Sequence, residues 1–180
     1  MANVLLISRN DITRYTALNG NVDQDKFLQF IYIAQQIHIL NYLGTDLLEK
    51  VKSDIAGGSL TGNYQTLVNT YVKPMLVHYS MVEYLPFSTV SISNKGVFKH
   101  SSENASVIDQ DELEKLIEAE RKIAENYALR CVDYLCNNST LFPEYTSNTN
   151  EDVNPQRGVN TGNWYIWKKH GKVNQKKLTY

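Results

Sequence analysis

The chain has 180 residues, of which 42% are hydrophobic and 21% charged, with a formal net charge of −1. That length supports one domain with a real hydrophobic core, and the near-neutral balance excludes wholesale nucleic-acid binding through net charge. No apolar run approaches the roughly 20 residues of a membrane-spanning helix, and the opening MANVLLISRND is too short in apolar residues for a signal-peptide core, so synthesis and residence in a cytoplasm are expected.

Charge is unevenly spread. From Val153 onward there are six basic residues and no acid, which leaves 12 basic against 19 acidic residues in the remainder, a formal −7 body and +6 tail. The 12 tyrosines are the compositional outlier. Tyrosine keeps few rotamers and has one polar end, which suits both core edges and protein interfaces.

In chain order, Ser8 is placed to cap a short helix over SRNDITRYT, which LNGN then breaks. Asp23 opens a second helix. Its apolar positions Phe27, Phe30, Ile31, Ala34, Ile37, His38 and Leu40 recur at the helical period. Gly44 suits the residue after its end, and Thr45 is expected to cap a third helix, DLLEKVKSDIA, closed by Gly57-Gly58. The segment YQTLVNTYVKPMLVHYSMVEYLPF is apolar around most of its circumference and reads as the central helix. Pro74 is expected to kink or break it near Lys73, and Pro86 to mark its end.

The period then changes. Val90 and Ile92, and later Val97 and Phe98, flank Asn94-Lys95-Gly96, the pattern of a small β-hairpin near residues 88–100. Two strands alone are marginal in water, so the hairpin must pack on the body or pair with a neighbour. Asp109 and Glu112 then start the clearest helix. Leu113, Leu116, Ile117, Ile123, Ala124, Tyr127, Ala128, Cys131, Val132 and Leu135 trace its apolar stripe, with Glu114, Glu118, Glu120 and Glu125 largely away from it. Asn137-Asn138 stop it. The Asn/Thr/Ser/Pro/Gly-rich sequence beyond reads as an extended arm. Fold class is therefore mainly α: a helical bundle over residues 1–138 with a small hairpin, and a C-terminal arm over 139–180, whose deletion is expected to leave the helical fold intact.

Catalytic templates find little support. Gly57 and Gly62 stand at phosphate-loop spacing, but Asn63-Tyr64 replace the required Lys and Ser/Thr and no strand precedes them. His38, His78, His100 and His170 share no metal-ligand spacing, and His38 and His78 read as satisfied core or edge residues. Cys131 and Cys136, about 140° apart around a helix, neither bridge nor match a metal motif. The Asn-x-Ser/Thr triplets at Asn104, Asn137 and Asn138 carry no meaning without secretion. Neither an enzyme activity, a metal nor a cofactor is expected.

The tail is the remaining functional signal. Trp164, Tyr165, Trp167, Lys168, Lys169, Lys172, Lys176, Lys177 and Tyr180 interleave aromatic and basic residues without an acid. Such a segment can anchor in a partner's groove by its tryptophans, fold back onto its own core, or bind nucleic acid by stacking and charge.

Four features occur in a recognisable order: Tyr42-Leu43-Gly44-Thr45-Asp46 at a helix corner, Leu85-Pro86-Phe87 ending a helix, a hairpin with Asn94-Lys95-Gly96, and Ser101-Ser102-Glu103-Asn104 before the long last helix. Over residues 5–138 the sequence thus resembles the small head–tail connector proteins of tailed phages infecting Bacteroides-type hosts, the crAss-like phages and their relatives. The resemblance implies a non-enzymatic, mostly helical adaptor located in the virion neck and assembled in the host cytoplasm. It would form a homo-oligomeric ring, dodecameric in such families, below the portal. The ring would extend the DNA channel, with non-specific contact to the genome, and join neighbouring connector or tail proteins; no membrane is involved. Inter-subunit contacts are then expected at Asn94, Lys95, Gly96 and Phe98 of the hairpin and Glu114, Glu118 and Arg121 of the last helix, with the arm reaching the portal or a successive ring. The alternative is a small DNA-contacting regulatory module that uses the basic aromatic tail.

Overall fold

The computed structural model describes residues 4–18, 24–94, 96–99, 108–147, 149 and 152–157. These are mainly helical: α1 Arg9–Tyr15, α2 Gln24–Ala34, α3 Leu40–Leu43, α4 Thr45–Ala56, α5 Gly62–Thr66, α6 Lys73–Ser88, α7 Gln110–Asn137 and α8 Pro143–Ser147. π-Helical turns at Gln35–Ile39 and Leu67–Val72 join α2 to α3 and α5 to α6. The backbone of Val90–Ser93 (β1) lies antiparallel to Gly96–Lys99 (β2), with Val90 opposite Lys99.

Helix α6 is the hub, packed chiefly against α7 on one side and α2 on the other. Met75, Leu76, Val77, Tyr79, Ser80, Met81 and Val82 are all buried in it, as its all-round apolar sequence requires. Pro74 does not break the run. Its ring would crowd the carbonyl four residues back, and the chain answers by widening into the π-helical turn over Leu67–Val72 just before it. Nor does Pro86 end the helix, which runs on to Ser88. A proline forbids only its own backbone bond, and the Ser88 hydroxyl donates to the Leu85 carbonyl at 2.7 Å to close the final turn.

The first π-helical turn changes which residues face inward. An uninterrupted helix through Ala34 places Ile37, His38 and Leu40 on the core side. The extra residue rotates the later positions, so Ile39 is fully buried while Ile37 is 50% exposed. Gln35, at the start of this turn, is also fully buried. Its side chain pairs with the extended N-terminal segment: Oε1 accepts from the Leu6 N–H and Nε2 donates to the Val4 carbonyl, both at 3.0 Å. Ser8 caps α1 as expected, with its N–H and hydroxyl both donating to Asp11 Oδ2 at 2.8 Å.

At the corner between α3 and α4, Gly44 has φ 76°, a region glycine enters freely. Gly44 itself is the N-cap of α4, and Thr45 is its first residue rather than its cap. The Thr45 side chain is engaged elsewhere. Its hydroxyl donates to Asp152 Oδ2 at 3.1 Å and accepts from the Val153 N–H at 3.0 Å. The Thr45 N–H returns a bond to the Val153 carbonyl at 3.0 Å, and the Gln156 N–H bonds the Asn41 carbonyl at 2.7 Å. The Thr149 N–H donates to Asp46 Oδ2 at 2.6 Å. Residues 149 and 152–156 thus form a strap across the helix corner.

That strap, with Phe142 and Tyr145 in the core cluster, corrects the boundary expected at 138. The described part of the supposed arm is built into the body, because two aromatic side chains and several backbone pairs tie it there. Residues 158–180 lie outside the described residues. Asp23, expected to open α2, does as well.

Helix α7 has 28 residues and spans about 42 Å. Asp109 caps it, accepting from the Gln110 N–H at 2.7 Å, and Asn138 follows its last residue. Its buried positions, Ala124, Ala128, Cys131, Val132 and Leu135, all fall in the C-terminal half. The two alanines let α6 approach closely. In the first half the expected stripe is one face but not a buried one: Leu116 is 48% and Ile123 42% exposed.

Candidate functional site

A cleft of about 510 Å³ opens between α1, α6 and α7, lined by Asp11, Tyr15, Asn69, Lys73, Pro74, Val77, His78 and Tyr127. Asp11 and Tyr15 come from the short capped helix α1. Asn69 comes from the π-helical turn before α6, and Pro74, Val77 and His78 follow at the spacing of one α6 face. Tyr127 enters from α7. The His78 ring stacks on Tyr127 at 5.8 Å with 8° between planes. Its Nδ1 meets Glu120 Oε2 at 2.7 Å, so Glu120, expected on the outer face, is drawn inward. The Arg130 guanidinium lies 5.7 Å over the Tyr127 ring. Burial pushes the Asp11 carboxyl up, but the Ser8 N–H and hydroxyl, with the charges of Lys73 and Arg14, outweigh it and hold the group below its usual range. Lys73 has no ion-pair partner among the described residues. It also borders a second, shallower cleft of about 310 Å³ with Leu6, Ile55, Leu60 and Val68.

A parallel constellation lies where α6 meets the Gln35–Ile39 turn. His38 Nε2 is 2.9 Å from Glu83 Oε1, the His38 ring stacks on Tyr79 at 3.9 Å, and the Tyr79 and Tyr42 hydroxyls are 3.2 Å apart. Burial pulls the His38 imidazole below its ordinary value, against the raising pull of the Glu83 bond and charge. The ring is therefore neutral near pH 7, and since a carboxylate only accepts, Nε2–H is the donor. Both histidines are hydrogen-bonded edge residues, as their apolar surroundings suggest. Their partners are 45 and 42 residues away in sequence, and no local pattern points to them.

His38 makes stability depend on pH with a definite sign. Because its folded value is depressed, the unfolded chain takes up the proton first as pH falls through the ordinary value near 6.5. The stabilisation is complete above that pH and drains away below it, until the folded value is passed. His38→Gln should therefore lose less stability between pH 7 and pH 5 than the wild type. Urea midpoints at the two pH values check this, and equal losses would remove His38 from the account.

The residues singled out from sequence are dispersed. Asn94 is exposed in the turn between β1 and β2, and Gly96 has φ 125°. Lys95 lies outside the described residues, as does the Phe98 side chain, though the Phe98 backbone sits opposite Ser91. Glu114 is exposed and accepts from Gln110 Nε2 at 3.1 Å. Glu118 pairs within its own helix, 3.8 Å from Arg121 and 3.6 Å from Lys122, contacts worth little at an exposed surface. Trp164, Tyr165, Trp167, Lys168, Lys169, Lys172, Lys176, Lys177 and Tyr180 all lie outside the described residues. The cleft itself was not legible, since its walls come from three separated helices.

Among the described residues no group of three or more His, Cys, Asp or Glu side chains gathers to hold a metal ion, and no helix is long and apolar enough to cross a membrane. Cys131 and Cys136 are free thiols, the first buried and the second exposed, and burial pushes the Cys131 thiol up to about 12. No curated protein and no solved structure matches the chain. One family model does, over residues 39–155, that is from the end of the first π-helical turn through the strap and across more than half of the sequence. The chain belongs to DUF6712, a family of unknown function.

Proposed function

We propose that this chain is a structural virion protein: a subunit of a homo-oligomeric, dodecameric head–tail connector ring that docks below the portal, extends the DNA channel and joins head to tail. The observation that carries this reading is the outer half of α7. Residues 108–123 contain no buried side chain, yet Leu116 and Ile123 present a row of apolar surface there. Exposed Phe87 at the end of α6, against Phe30 of α2, is a separate apolar surface. A long helix whose apolar stripe outruns its own core is suited to burial against another subunit. The two-stranded hairpin, which follows α6 and packs on it, would gain stability by pairing with a neighbouring subunit. The ordered motifs at Tyr42–Asp46, Leu85–Phe87, Asn94–Gly96 and Ser101–Asn104 support the connector class, and the basic segment from Trp164 to Tyr180 supplies the arm toward the portal or a neighbouring ring. The protein would be assembled in the host cytoplasm and reside in the virion neck, with non-specific genome contact in the channel.

Negative-stain electron microscopy of the purified protein, alone and mixed with the portal encoded near it, tests this. Rings, or an added layer on the portal, are the expected result. A monomer inert toward the portal would overturn it. If that monomer also bound DNA with a steep salt dependence, lost on neutralising Lys168, Lys169, Lys172, Lys176 and Lys177, the DNA-contacting module would take its place.

A further inference from the structure

We infer that the Lys73 cleft is the docking site for the acidic first turn of α7 from a second copy of this chain, an assignment that rests on the ring reading and names both sides of one contact. Within six residues at the start of α7, Asp109, Asp111, Glu112 and Glu114 are all exposed carboxylates. Acidic residues there stabilise the helix through its dipole, but four of them beside the open Leu116–Ile123 row also make a charged tip on an apolar stem. The cleft offers the complement. The Lys73 ammonium borders it, acting on Asp11 through its charge but in ion-pair contact with no carboxylate among the described residues, Arg130 stands over its Tyr127 wall, and Pro74 and exposed Tyr15 give apolar surface. Its 510 Å³ admits a few side chains rather than a whole helix. The cations Lys73, Arg14 and Arg130 outnumber the anions Asp11 and Glu120 around it, and Glu120 is occupied by His78.

A copy cannot fill its own cleft. Asp111 and Tyr127 lie on the same straight helix, about 24 Å apart at the α-helical rise. The contact must therefore come from another subunit, tip into cleft. Such a pairing of unlike surfaces is heterologous, the kind that closes rings. Charge complementarity across it favours this occupant over the basic segment beyond residue 157, which the cations of the cleft repel.

Charge exchange between full-length copies tests the pairing. Lys73→Glu, and separately Asp111→Lys with Glu112→Lys, should each weaken self-association by about tenfold or more in analytical ultracentrifugation. Mixing the Lys73→Glu copy with the doubly substituted copy should restore association, which a merely unfolded variant could not do. Lys73 is half-buried, so Arg130→Glu, at an exposed position on the same wall, provides a second reversal. Unchanged association in both cleft variants would overturn the docking site while leaving the ring intact. Loss through the acidic turn alone, copied by deleting residues 158–180, would assign that turn to the tail and overturn it too. A wild type that never self-associates would sink the contact and the ring reading together.

Discussion

Truncation after Asn138 will abolish cooperative folding, whereas truncation after Arg157 will leave the thermal transition close to that of the full chain. The segment between them carries Phe142 and Tyr145, which are 0% and 2% exposed. Phe142 meets Tyr64 edge-on at 5.4 Å and Tyr134 at 5.8 Å, and the Tyr64 hydroxyl donates to Glu144 Oε2 at 2.7 Å. Deleting one such aromatic ring costs about 3–5 kcal/mol. The shorter truncation removes two rings and also the strap bonded to Asn41, Thr45 and Asp46, while a domain of this kind holds only about 5–15 kcal/mol in all. Every contact described above lies within residues 4–157, so the longer truncation spares them. Circular dichroism melts of both truncations settle the matter. A fully cooperative, unshifted melt after cutting at Asn138 would return that segment to the status of an arm.

Two point substitutions separate packing from polarity in the same place. Phe142→Ala should lose about 3–5 kcal/mol. Tyr145→Phe should cost nothing or stabilise slightly, because the buried Tyr145 hydroxyl has no well-formed hydrogen bond, its polar neighbour being the weakly bonding Cys136 thiol, and its removal relieves a desolvated polar group.

The sequence was most informative where the determining signal is local. Asp109 at the start of α7, Asn137-Asn138 at its end, Ser8 before α1, and Gly44 at a positive-φ corner each act within a few residues, and each lies where its chemistry predicts. Two kinds of feature were not legible. The π-helical turns insert a residue without changing composition, so strict 3.6-residue counting placed Ile37 inward where Ile39 is buried. Long-range polar pairs such as His38 with Glu83, His78 with Glu120 and Thr45 with Val153 have no residue-type signature at either end. The strap illustrates the second case. Its polar, turn-rich sequence reads as an arm, yet most of its bonds use backbone groups that any sequence supplies. Phe142 and Tyr145 were the overlooked signal, two large aromatics close together in an otherwise polar stretch.

Gln35→Leu will destabilise the fold by about 2–4 kcal/mol although it replaces a buried polar side chain by an apolar one of similar size. The wild-type amide does two jobs with one geometry, accepting from the Leu6 N–H and donating to the Val4 carbonyl, as a neighbouring strand would. Leucine leaves the Leu6 N–H stranded among buried Leu6, Ile7 and Ile12, and a stranded buried donor costs about 1–3 kcal/mol. The Val4 carbonyl is only half-buried and recovers part of its loss from water. The π-helical turn gives this its position: the residue that starts the insertion is the one aimed at the N-terminal segment, consistent with such turns being kept where a side chain must be redirected. Gln35→Glu discriminates further. An ionised carboxylate still accepts from Leu6 but repels the Val4 carbonyl and buries a charge, so it should destabilise strongly at pH 7. Burial raises the pKa of the introduced carboxyl above its unfolded value, so relative to wild type the variant gains stability as pH falls. Once protonated, it can again donate to Val4. Denaturant titrations of wild type and both variants at pH 7 and pH 5, with hydrogen exchange at the Leu6 amide, are the measurement. A Gln35→Leu protein as stable as wild type, with Leu6 still protected, would show that the N-terminal segment is held by its apolar side chains alone.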